Sequence, residues 1–119
     1  PLIEVISLEE AALGRALGRE GAVLLVNTTS VGMHPRDAEM PPLPLEALHP
    51  DLFVSDLIYN PPQTRLLAAA EARGCRTQNG LSMLVWQGAL AFSAWTGVLE
   101  PPVRVMREAV QAALLNPGK

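Results

Sequence analysis

Three short segments of this 119-residue sequence carry the residue types from which a polar ligand site can be built. Each stands at the end of a strand-like stretch and brings amide, hydroxyl or carboxylate groups together within a few residues. They are Asn27-Thr28-Thr29-Ser30 after Ala22 to Val26, Asp56-Leu57-Ile58-Tyr59-Asn60 after Leu52 to Val54, and Gln78-Asn79-Gly80 after Cys75. Such groups orient an uncharged or polyhydroxylated ligand by hydrogen bonds rather than by net charge. Asn, Thr and Asp equally cap helices and turns, so one segment alone decides nothing. Three at corresponding ends argue for a site.

Single residues narrow the chemistry. Tyr59 offers a hydroxyl at a strand end, where a core ring tied to the backbone is the alternative. Gln87 is the one strongly polar side chain between Met83 and Leu90 on a segment otherwise apolar all round, so it requires a buried partner or a cleft. Thr29 and Ser30 line a cleft or close a local turn. Asp56 has the chemistry of a base, but a structural hydrogen bond to the preceding loop is the expectation. His34 and His49 stand beside prolines without a partner at metal-ligand spacing; both read as solvated, and no metal site is expected. Cys75 reads as a buried, inert thiol.

These residues need elements to position them. Leu2 to Ile6 is a β-branched run that reads as a strand, and Ser7 before Leu8, Glu9 and Glu10 reads as the cap of a helix reaching about Leu17, closed by Gly18 and Gly21. Ala22 to Val26 reads as a buried strand. The prolines at 35, 41, 42 and 44 make Gly32 to Pro44 a loop, with a short helix around Leu45 to Leu48. A strand follows from Leu52 through Asp56 to Leu57. An amphipathic helix carrying Leu66, Leu67 and Ala70 then ends at Gly74. Cys75 to Gln78 is a short strand, Leu81 to Trp95 a long helix, and Val103 to Leu115 a last helix before Pro117 and Gly118. Strands alternating with helices predict an α/β domain with a mostly parallel sheet. In such a sheet ligands bind beyond the carboxyl ends of the strands, where the three polar segments stand.

Composition excludes several classes. With 49% apolar and 18% charged residues, the chain is expected to form one globular core. The net charge is −3 and the nine basic residues are scattered, so nucleic acid is not an expected partner. Residues 77–99 carry no charge, yet Gln78, Asn79, Ser82, Gln87 and Ser93 interrupt them, so a buried helix is expected and a membrane span is not. The single cysteine and the lack of a leader-like start favour a reducing cytoplasm. The sequence opens at Pro1 already in an apolar run and reads as the continuation of something longer.

The segments Asn27-Thr28-Thr29-Ser30-Val31-Gly32-Met33, Asp56-Leu57-Ile58-Tyr59-Asn60-Pro61 with Thr64, and Gly80-Leu81-Ser82-Met83-Leu84-Val85-Trp86-Gln87 resemble three successive motifs of shikimate dehydrogenases, in order and spacing. Ala91-Phe92 and Trp95-Thr96-Gly97 extend the likeness. The resemblance implies the carboxyl-terminal part of a Rossmann-like NADP-binding domain, strands three to six of the order 3-2-1-4-5-6 plus the terminal helices. On that basis Tyr59 and Gln87 would contact substrate, and Thr29, Leu57, Gly80 and Met83 would lie along the cofactor, Gly80 offering its carbonyl to the carboxamide. The amino-terminal substrate domain, the glycine-rich first half and the residues that move the proton would lie outside residues 1–119, leaving no catalytic residue among them.

The implied activity of the intact protein is the NADP-dependent, reversible reduction of 3-dehydroshikimate to shikimate. The alternatives are an NAD-using quinate/shikimate dehydrogenase and a non-catalytic α/β binding module. In the implied strand order, the strand at Ala22 to Val26 would be fourth, with one edge bare in this chain. The strand at Leu2 to Ile6 would lie beyond two further strands. A bare apolar edge favours association, a homodimer included.

Overall fold

The computed structural model describes residues 2–18 and 21–116. Pro117 and Gly118, expected to follow the last helix, lie outside the described residues. The order is α1 (Glu10–Leu17), β1 (Leu24–Asn27), a 3₁₀ turn (Leu45–Ala47), β2 (Phe53–Asp56), α2 (Arg65–Ala72), β3 (Arg76–Gln78), α3 (Leu81–Thr96) and α4 (Val103–Leu115). The fold is α/β.

β2 lies between β1 and β3, and both pairings are parallel. The register sets Asn27 opposite Asp56 and Ser55 opposite Gln78, so the polar tips of the three strands reach the same end of the sheet. Parallel neighbours need a crossover; α2 supplies one between β2 and β3 and packs on both. The core gathers around β2: Leu52, Val54, Leu66, Leu67, Ala70 and Cys75 are buried together, with Leu17, Leu43 and Leu48 closing its margin. Across the outer pair, the Arg76 guanidinium lies 5.8 Å from the Phe53 ring centre, a cation–π contact between register partners.

Two expectations at the amino terminus do not hold. Residues 2–6 form no strand, and Leu2, Ile3 and Val5 are exposed. A β-branched run favours extended backbone, but a strand exists only where a neighbour supplies the ladder. Ser7 does not cap α1: Glu9 holds that position, and the Ser7 hydroxyl bonds its carboxylate at 3.3 Å.

The long uncharged helix also differs from expectation. Only Val85 and Ala89 of α3 are buried, and α4 packs along it, with the Arg107 guanidinium donating to the Ser82 hydroxyl at 3.1 Å. α4 is the element that packs along α3, and Met83, Trp86, Leu90 and Trp95 remain exposed. No helix among the described residues is long and apolar enough to cross a membrane.

Candidate functional site

The site is built at the carboxyl ends of the strands. β1 ends in Asn27, almost fully buried, whose amide oxygen accepts from the Thr29 backbone N–H at 3.1 Å and the Thr29 hydroxyl at 2.7 Å. The Thr29 hydroxyl oxygen in turn accepts from the Val31 N–H at 3.1 Å. An Asn that bonds two residues ahead makes a tight turn, and the chain then doubles back through Gly32. Its φ of +97° suits glycine, and an added Cβ would meet the Glu39 carbonyl oxygen at 2.9 Å.

β2 ends in Asp56, whose carboxylate is wholly buried. Oδ1 accepts from Asn27 Nδ2 at 3.2 Å and from the Ile58 N–H at 3.0 Å, and Oδ2 accepts from the Thr64 hydroxyl at 2.8 Å. Thr64 is also the cap of α2, its oxygen accepting from the Leu67 N–H at 3.2 Å. Asp56 serves structure as expected, but not through the preceding loop: its partners lie on β1, on the segment that follows it and at the start of α2.

After β3, Asn79 accepts from the Leu81 N–H at 3.1 Å and Gly80 opens α3. The Gly80 N–H donates to the Ile58 carbonyl at 2.9 Å, and the Gly80 carbonyl accepts from the Leu84 N–H at 3.0 Å, leaving its second lone pair free of that helical bond.

Between the first two tips lies an open cleft of about 400 Å³, lined by Thr28 to Ser30, Met33, His34 and Leu57 to Asn60. Its wall mixes the flat apolar faces of Leu57 and Ile58 with hydroxyls and amides. A depression of about 520 Å³ between α1 and the Pro44–Glu46 turn is larger, but none of its lining comes from a strand end. The cleft is the candidate.

The structure brings Thr29, Leu57 and Tyr59 to this cleft, with Tyr59 38% exposed. Gly80 is bonded to the peptide that separates Leu57 from Tyr59. Met83 and Gln87, one turn apart on α3, are outside the cleft lining and exposed, and the Gln87 amide donates only locally, to the Leu84 carbonyl at 3.0 Å. The expected buried partner for Gln87 is not found; its neighbours on the helix surface, Met83 and Trp86, are apolar and open as well.

Sequence reasoning did not single out Met33 and His34 as cleft residues, nor Asn27 and Thr64 as the partners of Asp56. The asparagine two residues before Thr29 was the available signal, since Asx turns carry that spacing.

His34, at the cleft's edge, is exposed and 3.2 Å from Asp37, whereas His49, away from the cleft, is half-buried rather than solvated. The Cys75 thiol donates to the His49 carbonyl at 3.2 Å, and burial pushes its pKa up, which keeps it protonated and unreactive. No cluster able to hold a metal ion occurs among the described residues.

A family model described as the shikimate 5'-dehydrogenase C-terminal domain matches residues 80–111. A shikimate dehydrogenase (NADP(+)) of Geobacillus kaustophilus is 57% identical over 91 residues, covering 76% of this chain and 32% of its own. The enzyme of that name from Methanopyrus kandleri is 48% identical over 118 residues, covering 92% of this chain and 40% of its own. The chain matches the carboxyl-terminal part of shikimate dehydrogenases. The fold agrees: the shikimate 5-dehydrogenase of Thermus thermophilus, crystallised with NADP(H) and shikimate, superposes with a TM-score of 0.68 at 46% identity, over 76% of this chain and 34% of that one. The chain thus spans between about a third and two fifths of the length of the shikimate dehydrogenases it matches.

Proposed function

We propose that this chain supplies the carboxyl-terminal part of the cofactor domain of an NADP-dependent shikimate dehydrogenase, a cytoplasmic enzyme that reversibly reduces 3-dehydroshikimate to shikimate. The observation that carries the reading is the convergence of the Thr29 turn, the Leu57–Tyr59 segment and Gly80 at one end of a parallel sheet. The similarity to NADP-dependent relatives supports the cofactor.

The residues present suit a nicotinamide ring. Leu57 gives an apolar surface against a flat face, the free lone pair of the Gly80 carbonyl would take the carboxamide N–H, and Met83 would close the far side. Thr29 would border the ring through its turn, because its hydroxyl is occupied by Asn27 and Val31. NADPH supplies the hydride. The sequence has no Gly-x-Gly-x-x-Gly turn, so the cofactor's phosphates would be held by other parts of the intact protein.

On the substrate side, Tyr59 and Gln87 would offer a hydroxyl and an amide to the hydroxyls of the ring. The exposure of Gln87 and the apolar surface around it fit a residue facing a cleft closed from the other side by a separate domain. The role of these residues is orientation; proton transfer would fall to groups outside this chain.

The test is the intact protein that carries this sequence. Shikimate-dependent reduction of NADP⁺, lowered by Tyr59→Phe and by Gln87→Ala, is the expected result. A purified, folded protein that reduces no NADP⁺ with shikimate would overturn the reading.

A further inference from the structure

Behind the cleft wall lies a buried polar cluster that a cap alone does not explain. Thr64 already caps α2 through its own oxygen, and the β1–β2 ladder already continues one step further through the Leu57 N–H to the Asn27 carbonyl at 3.1 Å. Burying a carboxylate in addition costs free energy unless its oxygens are satisfied. Asp56, 0% exposed, takes three neutral donors, from Asn27, Ile58 and Thr64.

Each donor belongs to a different part of the rim. Asn27 holds the Thr29 turn. Ile58 is the centre of the segment presenting Leu57 and Tyr59, and its backbone is held on both sides, the N–H by Asp56 and the carbonyl by Gly80. Thr64 starts α2. All three strand ends are therefore linked through one carboxylate and the backbone of one residue, Ile58.

We infer that Asp56 is a positioning residue: its buried carboxylate sets the spacing between the Thr29 turn and the Leu57–Tyr59 segment, and with it the geometry of the cleft. Its consequence for the reaction rests on the function proposed above. A residue that acts by fixing neighbours is replaceable by a group that keeps their bonds, whereas a proton-transferring group is not. Asp56→Asn keeps one oxygen for Asn27 and Ile58; Asp56→Ala keeps none.

The experiment uses the intact protein, with hydrogen exchange of peptides covering residues 28–31 and 57–60 and steady-state kinetics on shikimate. In Asp56→Ala both peptides should exchange faster by about tenfold or more, with α4 unchanged. The kcat/KM for shikimate should fall by about tenfold or more. Asp56→Asn should restore most of both. If Asp56→Ala does not fold, Asn27→Ala carries the test through the 57–60 peptide and the kinetics: it removes the side-chain bond to Asp56, leaves Ile58 and Thr64 bonded, and frees the Thr29 turn directly.

Wild-type exchange in the folded variants, or an Asp56→Asn as impaired as Asp56→Ala, overturns the inference. Faster exchange with unaltered shikimate kinetics supports the role of Asp56 in shaping the cleft. That outcome overturns the proposed function of the cleft instead.

Discussion

Gly80 sits so close to the end of β2 that an added Cβ would stand 1.8 Å from the Leu57 carbonyl oxygen, while its N–H bonds the Ile58 carbonyl at 2.9 Å. The obstacle is backbone, which cannot swing aside as a side chain does. Gly80→Ala must therefore push α3 away from the strand ends. Overpacking of this kind costs about 1–3 kcal/mol. Urea unfolding of the intact protein should show that loss, together with weaker cofactor binding measured by titration. A Gly80→Ala protein as stable as the parent would show that the two elements are not held in contact.

Gln87→Ala in the intact protein should remove a substrate hydrogen bond and leave cofactor affinity nearly unchanged. The expected loss is about 1–3 kcal/mol in transition-state stabilisation, read from kcat/KM for shikimate. Weakened cofactor binding with normal shikimate kinetics would place Gln87 on the wrong ligand.

Cys75 gives a pH dependence. Burial raises its folded pKa above the unfolded value, so the folded state holds the proton more tightly. The resulting stability is fully present below the unfolded pKa of about 8.5 and is lost as pH rises through the folded pKa. Thermal unfolding should therefore show a steeper alkaline decline in the parent than in Cys75→Ala. Equal slopes would mean that the thiol does not titrate on unfolding.

The 119-residue chain by itself should have no shikimate dehydrogenase activity, and it should associate or be only marginally stable. β1 pairs with β2 alone among the described strands, and Val23, Leu24 and Val26 are exposed along it. Such an edge is a template for another strand. Sedimentation across a concentration series checks this: a stable, cooperatively unfolding monomer throughout, or turnover by the purified chain, would contradict it.

How far the sequence could be read depended on the range of the interactions involved. α4 agrees with its expected span at both ends, because prolines mark its start and a 3.6-residue apolar period runs through it. β1 and β2 are legible as strands from apolar runs with polar tips, but β1 is not the buried strand expected: Val23, Leu24 and Val26 are exposed, because it pairs with β2 alone among the described strands. Leu2 to Ile6 was misread, since a local preference for extended backbone says nothing about whether a neighbouring strand is present. The even apolar distribution of α3 predicts a buried helix, and its exposed residues agree with the expectation that it loses cover in this chain alone, since what covers a helix is set by distant elements. At the site, the three tips were legible as polar segments. Their bonding was not, because Asn27 and Asp56 meet across 29 residues of sequence.

The strands stand side by side in the order in which the chain emerges. Among the described strands, none has to wait for a later one to be inserted between it and its neighbour, so each new piece adds to the growing outer edge. Contacts made this way close modest loops and suit stepwise assembly during synthesis. The Asn27–Asp56 bond would form as soon as β2 is laid against β1. Pulsed hydrogen exchange during refolding of the intact protein should find the amides of β1 and β2 protected no later than those of β3, and the reverse order would exclude this route.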